Sequence, residues 1–237
     1  MAETIEQRIA GLDWPALGAD ILETGHARAP AVLDDGTCRA LIALYGDDGR
    51  FRSRIVMARH NFGLGDYAYF AAPLPRPVAA LRAALYPRLA PIANRMAAAL
   101  RGTERYPKTL TGFLRRCHGA GQTKPTPLIL RYGAGGYNRL HRDLYGDIAF
   151  PLQAVVMLSR PGRDYDGGEF LLVENRPRQQ AIGTAFAAGR GDMILFANAA
   201  RPVQGARGWL RAHVRHGVSR VTRGERYALG IIFHDAA

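Results

Sequence analysis

Apolar residues recur every three or four positions through the first half of the chain, which is the spacing of one helix face. Ile5, Ile9 and Leu12 follow this spacing near the N-terminus. Further helices are predicted at 16–24, 34–45, 77–101 and 109–118. The longest of them contains Pro87 and Pro91. Because proline lacks a backbone N–H, we expect these residues to kink or split that helix.

The segment between the third and fourth predicted helices alternates apolar with basic or aromatic residues and predicts a two-strand ribbon over residues 51–71. One face of the ribbon is expected to carry Arg52 and Arg54, with Tyr67 and Tyr69 on the returning strand. Basic groups interleaved with aromatic rings can contact phosphates and stack on bases. The alternative is an ordinary amphipathic hairpin with a solvated charged face.

From residue 127 the pattern becomes that of closely spaced strands. They are predicted at 128–132, 137–141, 150–158, 166–173, 184–187, 192–197, 209–218 and 225–233. Antiparallel strands preceded by helices indicate an α+β protein with a two-sheet jelly roll, a cupin-like double-stranded β-helix of about eight strands. Residues 127–237 would form this core, and residues 1–126 would supply bracing helices and the ribbon, a candidate substrate lid. Together they would make one compact domain.

Composition adds a strong basic balance, because the 237 residues carry a net charge of +12. Such an excess attracts polyanions, and nucleic acid is the first candidate. Lysine occurs only at positions 108 and 124, so nearly all of the 32 basic residues are arginine. A GC-rich genome would produce the same bias, and both explanations stay open.

Other features of the composition bear on location. No apolar run approaches the roughly 20 residues that cross a bilayer, so no membrane association is expected. The charged N-terminus lacks the apolar segment of a secretion signal. Cys38 and Cys117 provide no disulfide framework. We therefore expect a cytoplasmic protein, and a monomer.

Candidate chemistry begins with His141-Arg-Asp143. Residues i and i+2 of an extended segment project to the same side, so the imidazole and the carboxylate can bind one metal ion. A second imidazole from a distant strand would complete the two-histidine, one-carboxylate set of non-haem Fe(II) oxygenases. His213 and His216 are three apart, so only one of them can face the metal. A polar strand end is the alternative interpretation of the His-x-Asp pair.

The order His141-Arg-Asp143, Gly191-Asp-Met-Ile-Leu-Phe, His216-Gly-Val-Ser and Arg226 resembles the Fe(II)/2-oxoglutarate dioxygenase superfamily. The resemblance covers residues 127–236. It implies Fe(II) bound by His141, Asp143 and His216, with 2-oxoglutarate and O₂ as co-substrates. His216 is favoured over His213 because its ten-residue separation from Arg226 fits the family.

Further roles are implied by the same resemblance. Arg226 matches the arginine that binds the far carboxylate of 2-oxoglutarate, for which its planar fork is suited. Tyr132 matches a tyrosine whose hydroxyl points at the same carboxylate in AlkB-like members. The chain departs from the AlkB pattern at Leu130 and Ile232, where those enzymes carry asparagine and arginine.

Two branches of the superfamily fit the chain. Asp166-Gly-Gly-Glu-Phe and His216-Gly-Val-Ser look like prolyl-4-hydroxylase-type enzymes, which act on proteins. Tyr132, nine residues before His141, and the ribbon look like the AlkB branch, which demethylates alkylated bases. The whole chain is similar to a bacterial family of 2-oxoglutarate-Fe(II) oxygenases described as acting on damaged nucleic acid.

We therefore expect a dioxygenase acting on alkylated DNA or RNA. A protein hydroxylase is the first alternative, and a non-enzymatic cupin-like binding module is the second. His234 could line the pocket mouth or be a satisfied polar group. The residues expected to contact substrate are Arg52, Arg54, Tyr67, Tyr69, Tyr137, Arg142 and Tyr145.

Overall fold

A computed structural model describes residues 3–206 and 208–237. The first helix begins with a capping box, in which the Thr4 hydroxyl accepts from the Gln7 N–H and the Gln7 side chain accepts from the Thr4 N–H. The helices are α1 (Ile5–Ala10), α2 (Trp14–Thr24), α3 (Asp35–Leu44), α4 (Arg76–Ala99) and α5 (Leu110–Gly119). Within these two ranges, no helix is long and apolar enough to cross a membrane.

The strands assemble into two large antiparallel sheets and one small pair. In chain order they are β1 (His26–Ala29), β2 (Phe51–Val56), β3 (Gly63–Leu64), β4 (Asp66–Phe70), β5 (Leu128–Tyr132), β6 (Tyr137–His141), β7 (Leu152–Met157), β8 (Tyr165–Gly167), β9 (Phe170–Asn175), β10 (Ile182–Phe186), β11 (Met193–Ala197), β12 (Ala200–Gly205), β13 (Gly208–Val218), β14 (Val221–Gly224) and β15 (Arg226–Ile231). The predicted α+β jelly roll is confirmed.

The larger sheet has the order β1-β11-β7-β15-β5-β4-β2. The smaller sheet has the order β10-β9-β13-β6-β3, and β12 also pairs with β13. Strand β7 is buried along its whole length, which agrees with its sequence, apolar except for Gln153, and with its position inside the sheet. Helix α4 buries Leu81, Leu85, Leu89 and Ile92 in the same hydrophobic cluster as the central strands of the larger sheet.

Helix α4 runs from Arg76 to Ala99 as one helix, so of the two expected effects of its prolines, a kink or a split, the split does not occur. Pro87 and Pro91 are one helical turn apart, and both are exposed. The backbone carbonyls that lose a partner at each proline therefore lie on the water-facing side, where solvent can satisfy them. The buried leucine face holds the helix together despite the missing hydrogen bonds.

Strands β1 and β12 are among those that were not predicted. β1 is four residues long and follows α2 directly, after Gly25 ends that helix in the left-handed conformation (φ 84°). β12 contains Pro202, which argues against a strand in a sequence pattern. Proline is tolerated here because β12 hydrogen-bonds to β13 on one side.

The predicted ribbon is the edge of the larger sheet, because β2 pairs with β4 and β4 pairs with β5. The register shifts between Phe51 and Ser53, so a bulge surrounds Arg52. The bulge turns Arg52 over the ring of Tyr69, 4.6 Å from its centroid, whereas Arg54 lies on the opposite face and binds Asp48. The expectation that the two arginines share a face is therefore wrong.

Candidate active site

His141, Asp143 and His216 come together where β6 and β13 pair. His216 lies directly opposite His141, and one ligand atom from each of the three residues lies within 4.8 Å of the others. The Nε2 atoms of His216 and His141 are 3.2 and 3.5 Å from the two carboxylate oxygens of Asp143. His213 is exposed on the other face of β13, as its three-residue offset from His216 predicted.

Hydrogen bonds orient the His141 ring. Its Nδ1 lies 2.7 Å from the carbonyl oxygen of Arg139, which can only accept, so Nδ1 carries the proton. The lone pair of Nε2 is then free and points at the cluster. Burial, and after it the nearby His216 imidazole, lowers the pKa of His141 and favours the neutral form that a metal ligand requires.

Asp143 is held from three directions. Asn198 accepts a 2.9 Å hydrogen bond from the Asp143 backbone N–H and donates its own N–H to the Asp143 carbonyl. The Tyr145 hydroxyl donates to the carboxylate at 2.6 Å. Burial alone would raise the pKa of Asp143, but the contacts with His216, His141 and Tyr145 keep that pKa well below its ordinary range. The carboxylate is therefore ionised and fixed.

A cavity of about 380 Å³ extends from the three side chains into the space between the sheets. Arg226 lines this cavity and is 1% exposed. It is the first residue of β15, where it lies opposite Tyr132 of the paired strand β5. Gly168 packs against the arginine, since a Cβ there would lie 2.8 Å from Arg226 Cδ. Its φ of +63° also favours glycine, so close approach and backbone conformation select the same residue.

The Arg226 guanidinium is a buried cation with no ion-pair partner in residues 3–206 and 208–237. Its Nε has no hydrogen-bond partner there, and its Nη2 donates to the sulfur of Met157, at 3.3 Å. The Tyr132 ring lies 5.5 Å from the guanidinium carbon. A buried charge of this kind needs an anion, and a carboxylate matches its fork. The residues present thus fit both a divalent iron and the carboxylate of a 2-oxo acid.

Leu130 and Ile232, where the AlkB pattern has polar residues, both line this cavity. Gln153 supplies a polar group instead. It is 3% exposed and lines the cavity, and its amide Nε2 has no partner in the described residues.

The residues expected to contact substrate lie in different places. Tyr67 and Arg142 line the cavity, and Arg142 is exposed at its mouth. Tyr69 is buried between Arg52 and Tyr145, so it has no free face for a base. Tyr145 also lines the cavity, and its hydroxyl binds the Asp143 carboxylate.

Other predicted residues lie outside the cavity lining. Arg54 belongs to a surface ion-pair group, and Tyr137 stacks under Arg220 at 4.9 Å. His234 is fully buried, accepts a hydrogen bond from the Phe150 N–H through Nδ1, and does not line the cavity.

Several residues of the site were missed. Gln153 could have been found, because it is a polar residue inside the otherwise apolar stretch 150–158. Asn198 gave no such signal, since its contact with Asp143 spans 55 residues and follows from tertiary packing. Phe62 and Arg139 at the cavity mouth were also missed. The position of Phe62 depends on the pairing of β3 with β6, which the sequence does not indicate because β3 has only two residues.

The fold and the site define a 2-oxoglutarate- and Fe(II)-dependent oxygenase, an oxidoreductase that uses Fe(II), 2-oxoglutarate and O₂. Residues 65–236 match the model of the Oxygenase-NA family, described as an oxygenase catalysing oxidative methylation of damaged DNA. The chain belongs to this family. It is also 48% identical over 190 residues to the uncharacterized protein Rv2227 of Mycobacterium tuberculosis, covering 80% of this chain and 79% of that protein.

Solved structures support the fold. A Pseudomonas putida prolyl-4-hydroxylase is similar with a TM-score of 0.54 and 16% identity, covering 94% of this chain and 100% of that one. A 2OG-Fe(II) oxygenase-family oxidoreductase from Burkholderia pseudomallei gives a TM-score of 0.55 and 18% identity, covering 96% and 94%. The epimerase SnoN of nogalamycin biosynthesis gives a TM-score of 0.56 and 15% identity, covering 92% of this chain and 81% of that one. At these identities the likeness shows the jelly-roll architecture alone.

Proposed function

We propose that His141, Asp143 and His216 bind the iron and that Arg226 and Tyr132 bind the distal carboxylate of 2-oxoglutarate. The cluster geometry and the buried, unpaired guanidinium support these roles. We also propose that residues 1–126 and 127–237 form one domain. The pairing of β1 with β11 and of β4 with β5 across that boundary supports this.

When bound, Fe(II) and 2-oxoglutarate would supply the activation of O₂, by which one oxygen atom enters a substrate C–H bond and the other enters the succinate formed with CO₂ from 2-oxoglutarate. The protein residues position the reactants. Asn198 fixes the Asp143 backbone and Tyr145 fixes its carboxylate. The Arg139 carbonyl fixes the His141 tautomer. The apolar walls formed by Leu130, Ile232 and their neighbours limit access of water to the reacting groups.

We propose that the substrate is nucleic acid carrying an alkylated base. The cationic mouth of the cavity is the observation that carries this proposal. Arg139 and Arg142 line the opening and are exposed, and neither pairs with a carboxylate of the described residues. Phe62 lies beside them, 47% exposed, and offers a flat apolar surface. Free guanidinium groups next to an exposed aromatic ring suit a phosphate backbone and a base.

The cavity lies between the sheets, so a base can reach it only when it is unpaired or turned out of its stack. Oxidation of an N-methyl group gives an N-hydroxymethyl group, which leaves as formaldehyde and restores the N–H of the base. The proposed reaction is therefore an oxidative demethylation. The net charge of +12 and the family's description in terms of damaged DNA support the same substrate.

The test is anaerobic loading with Fe(II) and 2-oxoglutarate, followed by exposure to air with methylated single-stranded DNA. We expect formaldehyde and succinate in equal amounts from the wild type and neither from His216→Ala. Succinate without formaldehyde, using both DNA and RNA, would reject the nucleic-acid substrate and favour protein side chains. Turnover that persists in His216→Ala would reject the metal site.

A further inference from the structure

The outer face of strand β13 carries four exposed side chains at alternate positions: Trp209, Arg211, His213 and Arg215. We call them the β13 stripe. The other side of the strand carries Ala212, Val214 and His216, which are buried, and Leu210, which is 44% exposed. Arg215 directly precedes His216, a proposed iron ligand, and its side chain lies on the face of β13 opposite the cavity. The stripe ends where His216 pairs with His141.

The stripe is flanked by uncharged residues on both neighbouring strands. His213 pairs with Asn175 of β9 and with Ala200 of β12, and Arg215 pairs with Val173. Arg211 and Trp209 pair with Pro202 and Gln204, as the register of β12 and β13 shows. The positive charge of this face therefore has no nearby acidic partner along the paired strands.

The arginines of the β13 stripe differ from other arginines of the same sheet in their ion pairing. Arg201 and Arg176 both bind the carboxylate of Glu174, which is buried. Arg211 and Arg215, by contrast, form no ion pair with any residue of 3–206 or 208–237. Exposed arginines that lack local counter-charges are available to an external polyanion.

The stripe also has a direction and a length that suit a chain-like ligand. From position 209 to position 215 a β-strand rises about 20 Å, at about 3.3 Å per residue. At one end of this track is Trp209, 53% exposed. At the other end His216 pairs with His141, and the next residue, Arg142, is exposed and lines the cavity, as does Arg139. An extended polyanion with flat unpaired bases matches this alternation of guanidinium groups and an aromatic ring.

We propose that the β13 stripe, continued by Arg139 and Arg142, is the track on which a single-stranded nucleic acid lies while one of its bases enters the cavity. Arg211 and Arg215 bind backbone phosphates, and Trp209 stacks on a base several nucleotides from the reacting one. A duplex would hide its base faces from Trp209, so the track selects unpaired strands. This inference rests on the nucleic-acid function proposed above and adds where the strand runs.

The experiment measures binding of a fluorescein-labelled 20-nucleotide unmethylated DNA strand by fluorescence polarisation, with Mn(II) and 2-oxoglutarate present, over a range of salt concentrations. Arg211→Ala/Arg215→Ala should weaken binding at least about tenfold. It should also reduce the slope of log K against log salt by about 1.4, because each lost phosphate contact removes about 0.7.

Trp209→Ala should weaken binding about 5- to 100-fold while leaving the salt slope unchanged, because stacking releases no counterions. The matched control is Arg88→Ala/Arg95→Ala, which removes the same charge from exposed positions of α4. This control should bind as the wild type does, and melting curves verify that every variant is folded.

The outcomes separate the two proposals. If the wild type binds the strand and releases formaldehyde from its methylated form, but the stripe variant and the α4 control bind alike, the track is rejected and the function stands. If the wild type neither binds single strands nor demethylates them, the proposed function fails, and the track fails with it. Weaker binding confined to the stripe variants supports the track, provided that the salt slope is smaller for Arg211→Ala/Arg215→Ala and unchanged for Trp209→Ala.

Discussion

Arg226 allows the proposed co-substrate site to be tested on binding alone. Replacing it with methionine keeps an apolar stem of similar length in the space against Gly168 and removes the guanidinium. If a carboxylate of 2-oxoglutarate binds the fork, two charge-assisted hydrogen bonds are lost, each contributing about 1.5–3 kcal/mol. Some of that free energy is recovered because water solvates the carboxylate in the variant. We therefore expect a net loss of about 3–4 kcal/mol.

That loss corresponds to about 10²- to 10³-fold weaker binding, at 1.4 kcal/mol for each factor of ten. Arg226→Lys should lose about tenfold, because an ammonium keeps the charge but cannot bind bidentately. The assay is anaerobic calorimetric titration of the Mn(II)-loaded protein with 2-oxoglutarate. Arg223→Met is the matched control, since Arg223 lies on the neighbouring β14, is exposed and pairs with Asp166.

The reasoning predicts a second effect in the same variant. The unliganded protein holds the Arg226 charge in a buried site without a counter-ion among the described residues. Removing a buried, unpaired charge does not destabilise the fold as breaking an ion pair would. The melting temperature of unliganded Arg226→Met should thus equal or exceed that of the wild type. Binding of 2-oxoglutarate within about threefold of wild type would refute the assignment.

Three other changes have defined outcomes. Gln153→Leu removes a buried amide whose N–H has no partner in the described residues, so the melting temperature should rise by about 2–4 °C in differential scanning calorimetry. Asn198→Ala leaves the Asp143 backbone unpaired, so Mn(II) titration should show 10- to 100-fold weaker binding. An unchanged affinity would show that Asn198 does not position Asp143 for the metal. Burial lowers the pKa of His234 from 6.5 to about 4, so the unfolded chain binds a proton at this residue at a higher pH than the folded protein does. The free energy of unfolding is therefore at its full value above pH 6.5 and falls as the pH drops to about 4. His234→Asn keeps an acceptor for Phe150 but does not titrate, so its unfolding free energy should fall by about 3 kcal/mol less than that of wild type over this window.

The chain's local patterns determined much of the fold and the site. A strand places residues i and i+2 on one face whatever its partner is, so His141 and Asp143 could be grouped from sequence. The same rule excluded His213 once His216 was chosen. The family resemblance then supplied the pairing of Arg226 with Tyr132, which β15 and β5 place opposite each other.

Features that depend on the partner strand could not be predicted. The bulge at Arg52 is a mismatch between β2 and β4, and it moves one arginine to the far face although the sequence alternates regularly. The contact of Asn198 with Asp143 likewise depends on how the chain after β11 packs against β6. Strand β12 was hidden by Pro202, whose missing N–H matters only if a second strand pairs on that side.

The unpaired polar groups buried in the cavity make the stability of the fold depend on ligand binding. Arg226 Nε and Gln153 Nε2 both face the cavity without a partner in the described residues, and each unsatisfied group destabilises the unliganded fold by about 1–3 kcal/mol. A ligand that satisfies them binds only the folded protein and must therefore raise its stability. Metal and 2-oxoglutarate together should raise the melting temperature of the wild type. In Arg226→Met, 2-oxoglutarate should add little to the effect of metal alone, because the group that it would satisfy is gone.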